Sequence, residues 1–130
     1  MIVLDASALI GHLSAADPHH DSATAVVRDP GQEGLGIHRM NLVEVLVGAA
    51  RAGRAAELLG DIQALGVEML DTDEVEPLRL AELRANTLLR LPDCCALDAA
   101  VVRGGKLATF DDRLRRAAAN QGVTVLPEQV

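Results

Sequence analysis

The chain has 130 residues, 49% of them hydrophobic, enough for one domain around a real core. No apolar run approaches the ~20 residues that cross a bilayer, and the opening MIVLD lacks the basic start and long apolar stretch of a secretory signal, so a soluble, cytoplasmic protein is expected. The net charge of −7 by itself argues against a nucleic-acid partner, and Phe110 is the single aromatic residue available for stacking on bases.

Met1–Asp5 predicts a short buried strand, and Ser7–Leu13 a short helix capped by Ser7 or Asp5. A second helix is expected over Pro18–Asp29, with Ala23, Val26 and Val27 on one face; the PGQEG stretch after it is a loop. Leu35–His38 predicts the second strand. Arg39–Ala52 predicts a helix with Leu42, Val43, Leu46, Val47 and Ala50 apolar, and Gly53 separates it from another at Arg54–Leu65. Val67–Leu70 follows as a strand. Asp73 is the expected cap of a helix reaching Leu89, with Pro77 in its first turn. Pro92–Val102 predicts a helix that stops at Gly104-Gly105. Lys106–Thr109 predicts a strand, Asp111–Gln121 a helix and Val123–Leu126 the last strand. Strands alternating with helices predict a three-layer α/β/α domain, residues 1–130, whose five strands form a central, mostly parallel sheet.

Acids stand in this pattern where acids are least expected. Asp5 ends the first strand, Glu44 lies inside LVEVLV, Asp93 follows Pro92 in the first turn of a helix, and Asp111 follows the LAT strand. A carboxylate near a core must be paired, hydrogen-bonded or bound to a metal. Asp5, Asp93 and Asp111 have a plain explanation as residues favoured at helix starts. That explanation still puts all three on one edge of the sheet, where ligands of parallel sheets bind. Glu44 is the anomaly, because its alternative is a polar face shared only with Asn41 and Gly48. Oxygen ligands without His or Cys select Mg²⁺ or Mn²⁺, and such ions serve phosphate chemistry. With these four carboxylates set aside, the charge of −7 becomes −3, and eleven of the twelve basic residues are Arg, the better fork for phosphate.

Asp112 is an alternative to Asp111. Asp98, five residues past Asp93, points about 140° away around the helix and is a structural or supporting acid. Ser7 and Thr109 adjoin the carboxylates and can orient water or phosphate. Arg113, Arg115 and Arg116 follow Asp111 on one helix, as phosphate grips or as a solvated face. His19 and His20 read as a solvated helix start rather than a metal site. Cys94 and Cys95 are adjacent, which disfavours a disulfide, and read as reduced thiols.

The segments MIVLDASALI, NLVEVLVG, LPDCCALDAA and LATFDDRL resemble, in order and spacing, those of the PIN-domain family, and within it the VapC-type toxin ribonucleases. The resemblance implies a five-stranded parallel sheet and a Mg²⁺- or Mn²⁺-dependent endoribonuclease. It implies a homodimer inhibited by a small VapB-like antitoxin that blocks the acidic site. It assigns Asp5, Glu44, Asp93 and Asp111 to the metal site, with Ser7 and Thr109 as helpers. Scarce aromatics favour a structured RNA, such as a tRNA, as substrate. The alternatives are a phospho-receiver domain, with Asp71 as the modified residue, and an aspartyl-nucleophile phosphatase. The first wants a second acid beside Asp5 and a Lys after the last strand, and the second wants an acid where Ser7 stands.

Overall fold

In the computed structural model, which describes residues 1–129, the chain runs β1 (Ile2–Leu4), α1 (Ala6–Leu13), α2 (His20–Arg28), β2 (Leu35–Ile37), α3 (Arg39–Arg51), α4 (Ala55–Ala64), β3 (Val67–Met69), α5 (Glu76–Asn86), α6 (Leu91–Arg103), β4 (Lys106–Ala108), α7 (Asp112–Asn120) and β5 (Val125–Leu126). The five strands form one parallel sheet in the order β3-β2-β1-β4-β5. The chain therefore starts in the middle of the sheet, builds outward to β3, and returns to the far side of β1 with β4. The order reverses between β1 and β4, the switch point at which the loops beyond the strands part and leave a crevice.

Alternation along β1 divides the core. Ile2 and Leu4 pack on one side with α1 to α4, through Leu9, Val27, Leu42, Val45 and Ile62. Val3 packs on the other side with α6 and α7, through Leu97, Ala100, Leu114 and Ala118. Buried on both faces, the central strands need the continuous apolar runs that they have. α6 ends at Gly104, whose φ of +59° suits only glycine well. Gly105 follows because a Cβ there would stand 2.5 Å from the Met1 carbonyl oxygen as β4 docks on β1.

Several boundaries differ from expectation. The first helix begins at Ala6, one residue before Ser7, and of the two expected caps it takes Asp5. The second begins at His20, since the Asp17 carboxylate accepts from the His19 N–H in a turn of its own. The fifth runs from Glu76 to Asn86, not from Asp73 to Leu89. Asp73 instead accepts from the Val75 N–H and from Arg79, while the Thr87 hydroxyl donates to the Leu83 carbonyl and stops the helix early.

Candidate active site

Asp5 emerges from β1 at the switch point, 4% exposed. Its Oδ1 caps α1, accepting from the Ala8 N–H at 2.9 Å, and also accepts from the Ser7 hydroxyl at 2.7 Å. Its Oδ2 accepts from the Thr109 hydroxyl at 2.5 Å, across 104 residues of sequence. Ser7 Oγ accepts in turn from the Phe110 N–H at 3.0 Å, and Thr109 Oγ1 from the Asp111 N–H at 3.1 Å. The turns after β1 and β4 are thus tied together through the two hydroxyls. Burial pushes the Asp5 carboxyl above its usual range and the Asp93 charge adds to the rise, against the opposing hydrogen bonds from Thr109, Ser7 and Ala8.

Asp93 enters from the first turn of α6, 7% exposed, after Pro92. Asp111 caps α7, its Oδ1 accepting from the Leu114 N–H at 2.9 Å. Glu44 is half-buried on α3. Three residues before it, Asn41 is 1% exposed and donates from Nδ2 to the Pro92 carbonyl at 3.0 Å and to Glu44 Oε1 at a long 3.4 Å. Turning the amide over would set Oδ1 against both of those acceptors, so this orientation is the only sensible one. Asn41 Oδ1 is then a buried acceptor with no donor among the described residues.

Arg90 closes the arrangement. Its Nε lies 3.5 Å from Asp93 Oδ2 with the side chain 68% exposed. The charge of Asp93 first, then those of Glu44 and Asp111, holds its guanidinium above its ordinary value. Arg90 with Asp93, Asp111, Asp112, Arg113 and Leu88 lines an open depression of about 320 Å³. All four expected carboxylates therefore share one electrostatic neighbourhood: Asp93 acts on Asp5, and Asp93, Glu44 and Asp111 act on Arg90.

The donor set suits a hard divalent cation. Every carboxylate is an oxygen ligand, and the nearby Cys94 and Cys95 are free, buried thiols that burial keeps protonated. Three donors occupy Asp5, and a carboxylate has about four acceptor positions, so one position on Oδ2 remains. A cation there would offset the burial that disfavours the Asp5 charge. Among the described residues, though, no three acidic, His or Cys side chains converge into a ready-made cage. Asp5 and Asp111 are each held by the helix they cap, and the like charges of the acids repel, so they stand apart.

Other candidates resolve differently. Asp98 is structural: it takes Arg79 Nε at 2.9 Å, and Arg79 reaches Asp73 as well. Arg115 is no phosphate grip, because it donates to the carbonyls of Thr109 at 2.8 Å and Pro127 at 2.5 Å, tying α7 to the residues after β5. Arg113 and Arg116 remain exposed. His20 Nδ1 pairs with the Gly11 carbonyl and His19 stacks on Phe110, and among the described residues neither makes a hydrogen bond or ion pair with the acids. Cys94 and Cys95 are free and buried, and burial pushes Cys95 up to about 12. Asp71 follows β3, an edge strand separated from β1 by β2, and so stands away from Asp5. Arg90 and the buried role of Asn41 are additions to the sequence reading. The one signal was spacing: each precedes its acid by three residues on or beside the same helix.

A family model described as the PIN domain matches residues 2–120. Similar solved structures include Mycobacterium tuberculosis VapC20, described as a sarcin–ricin loop cleaving toxin (TM-score 0.74, 14% identity, 90% of this chain and 95% of that one). They include a toxin–antitoxin complex from Klebsiella pneumoniae (TM-score 0.72, 19% identity, 88% and 90%). They also include VapBC-1 from nontypeable Haemophilus influenzae (TM-score 0.70, 16% identity, 100% of both chains). At such identities the likeness establishes the fold. Comparison with curated protein sequences gave no match.

Proposed function

The chain belongs to the PIN-domain family, and from that premise we propose that it is a VapC-type toxin, a metal-dependent endoribonuclease of the cytoplasm restrained by a small antitoxin. The observation that carries this reading is Asp5: a carboxylate buried to 4% exposure, fixed by three donors, with one acceptor position left and Asp93 beside it. No purely structural cap needs a second buried acid next to it.

Asp5, Glu44, Asp93 and Asp111 would hold Mg²⁺ or Mn²⁺, which when bound supplies positive charge to polarise a phosphoryl oxygen and to ease deprotonation of the attacking water. The protein's own part is positioning. Ser7 and Thr109 fix the Asp5 carboxylate in one rotamer, and Asn41 fixes Glu44 against the start of α6. Arg90 and Arg113, on the rim of the depression, offer their forks to phosphate oxygens. The water oxygen bonds to phosphorus in line with the departing 3′-oxygen, which leaves as a 3′-hydroxyl after taking a proton, and the other product carries a 5′-phosphate.

A partner is supported by the exposed apolar stripe Met40, Val43 and Val47 on α3, spaced three and four residues apart. The structure from Klebsiella is of a toxin–antitoxin complex, and the same kind of partner, with a second copy of the chain, completes the proposal. The substrate class is a structured RNA, a tRNA among the candidates, with cleavage in an exposed loop. The test is Asp5→Asn: it abolishes RNA cleavage while the circular dichroism spectrum is unchanged, and EDTA abolishes cleavage by the unsubstituted protein. Full activity in either case refutes the proposal.

A further inference from the structure

Beside the acidic depression lies a second groove, of about 510 Å³, formed by the segment that ends α5 and by one face of α7. Its polar lining includes Asn86, Thr87, Arg113, Arg116 and Asn120. Arg113, Arg116 and Asn120 are spaced three and four residues apart and so share one face of α7. Leu88 and Arg113 line both the groove and the acidic depression, so the two are continuous. Among the described residues no acidic side chain lines the groove, although the chain carries 19 acidic residues and a net charge of −7. Unlike Arg79, Arg54 and Arg90, neither Arg113 nor Arg116 has an ion-pair partner among the described residues.

We propose that this groove holds the single-stranded stretch of RNA flanking the bond cut at the acidic site. The proposal rests on the ribonuclease reading above and names where its substrate runs. Unpaired guanidinium groups at Arg113 and Arg116 neutralise successive phosphates. Amides supply both donors and acceptors for base edges: Asn86 Nδ2 gives one N–H to the Glu82 carbonyl and keeps its second N–H and its oxygen, and Asn120 offers both kinds of group. Leu88, 85% exposed at the junction of the two depressions, gives an apolar surface for a base. That contact matters here because Phe110 is already stacked under His19 at 4.3 Å and no other aromatic ring of Phe, Tyr or Trp exists in the chain. A strand recognised this way is held by charge and amides more than by stacking, which fits the loop of a folded RNA presenting a few unpaired bases.

The test compares the double variant Arg113→Ala/Arg116→Ala with a remote cation control, Arg54→Ala, on a loop-bearing RNA hairpin. Binding is measured in the cleavage-deficient Asp5→Asn background without added metal, as a function of salt. Each neutralised phosphate of a single strand contributes roughly 0.7 to the slope of log affinity against log salt, so the double variant loses about 1.4 of that slope. In the cleaving protein Arg116→Ala alone, which keeps Arg113 on the rim of the acidic depression, raises KM severalfold with kcat held within about twofold, a loss of ground-state binding, and the double variant raises KM further, on the order of tenfold. Arg54→Ala changes neither. Shortening the RNA on one side of the cut removes the difference between unsubstituted and variant protein, and shortening it on the other side does not. An unaltered slope and KM in the double variant overturn the proposal. So does displacement of the RNA by poly-glutamate at no more than equal phosphate-equivalent concentration, which would mark the groove as a seat for an acidic protein segment. If the unsubstituted protein cuts no RNA, the catalytic reading fails by itself, and the slope in the binding arm still decides the groove.

Discussion

Thr109→Val tests the tie between the two turns that build the site. Thr109 is fully buried and its hydroxyl has two partners: it donates to Asp5 Oδ2 and accepts from the Asp111 N–H. Valine keeps the shape and loses both. A net hydrogen bond to a charged group is worth about 1.5–3 kcal/mol, and a buried N–H left unpaired costs about 1 kcal/mol or more. The metal-free protein should therefore lose about 3 kcal/mol of stability at neutral pH, or roughly 10 °C of Tm for a chain between the small and medium size classes. The sign of the pH dependence follows from Asp5, whose folded pKa burial raises above its unfolded value. Its contribution to stability is present in full below the unfolded pKa and is lost as pH rises through the folded one. The Thr109 bond opposes that rise, so its removal lifts the folded pKa further and deepens the loss. The difference between variant and unsubstituted protein should thus grow with pH across the carboxylate range and level off above the variant's folded pKa. Urea titrations from about pH 4 to about pH 8 in EDTA measure it. A neutral-pH difference below about 0.5 kcal/mol, or one that is larger in acid, refutes the account of Asp5 as a buried anion sustained by Thr109.

Adding Mn²⁺ to the unsubstituted protein at about 100 times its Kd should raise stability by about 2.7 kcal/mol, and Asp5→Asn should lose most of that gain; thermal melts across a metal titration read both. Asn41→Ala removes the clamp between Glu44 and the Pro92 carbonyl, and should weaken Mn²⁺ binding about 10- to 100-fold by calorimetry while secondary structure is retained. Unchanged affinity would reduce Asn41 to a packing residue. Arg79→Ala strands the buried Asp98, so it should lower Tm more than Arg54→Ala, whose partner Glu57 is solvated, with metal affinity the same in both.

Much of the candidate site was legible because its parts are local. Asp5, Asp93 and Asp111 stand at helix starts, and a cap or a dipole-favoured acid leaves its mark within three or four residues of sequence. Glu44 was legible for the opposite reason, as a charge in an apolar helix with no local purpose. Arg115 was misread because its partners, the carbonyls of Thr109 and Pro127, follow from where β5 docks. Arg90 went unread although it stands only three residues before Asp93, and Asn41 was read only as part of the polar face of Glu44, because its bond to the Pro92 carbonyl has no meaning until α3 and α6 are brought together.

The sequence by itself determined the alternation of strands and helices, the two apolar faces of the central strands and the identity of the acids, because periodicity and capping are set by neighbours along the chain. Only the tertiary structure decided that β4 lies against β1 rather than beyond β3. That strand order brings the Thr109 hydroxyl to the Asp5 carboxylate across 104 residues, sets Arg90 among the acids and opens the groove along α7. The physical reason is that such contacts depend on which buried faces fit together, and a buried charge finds its partners wherever the packing of those faces delivers them.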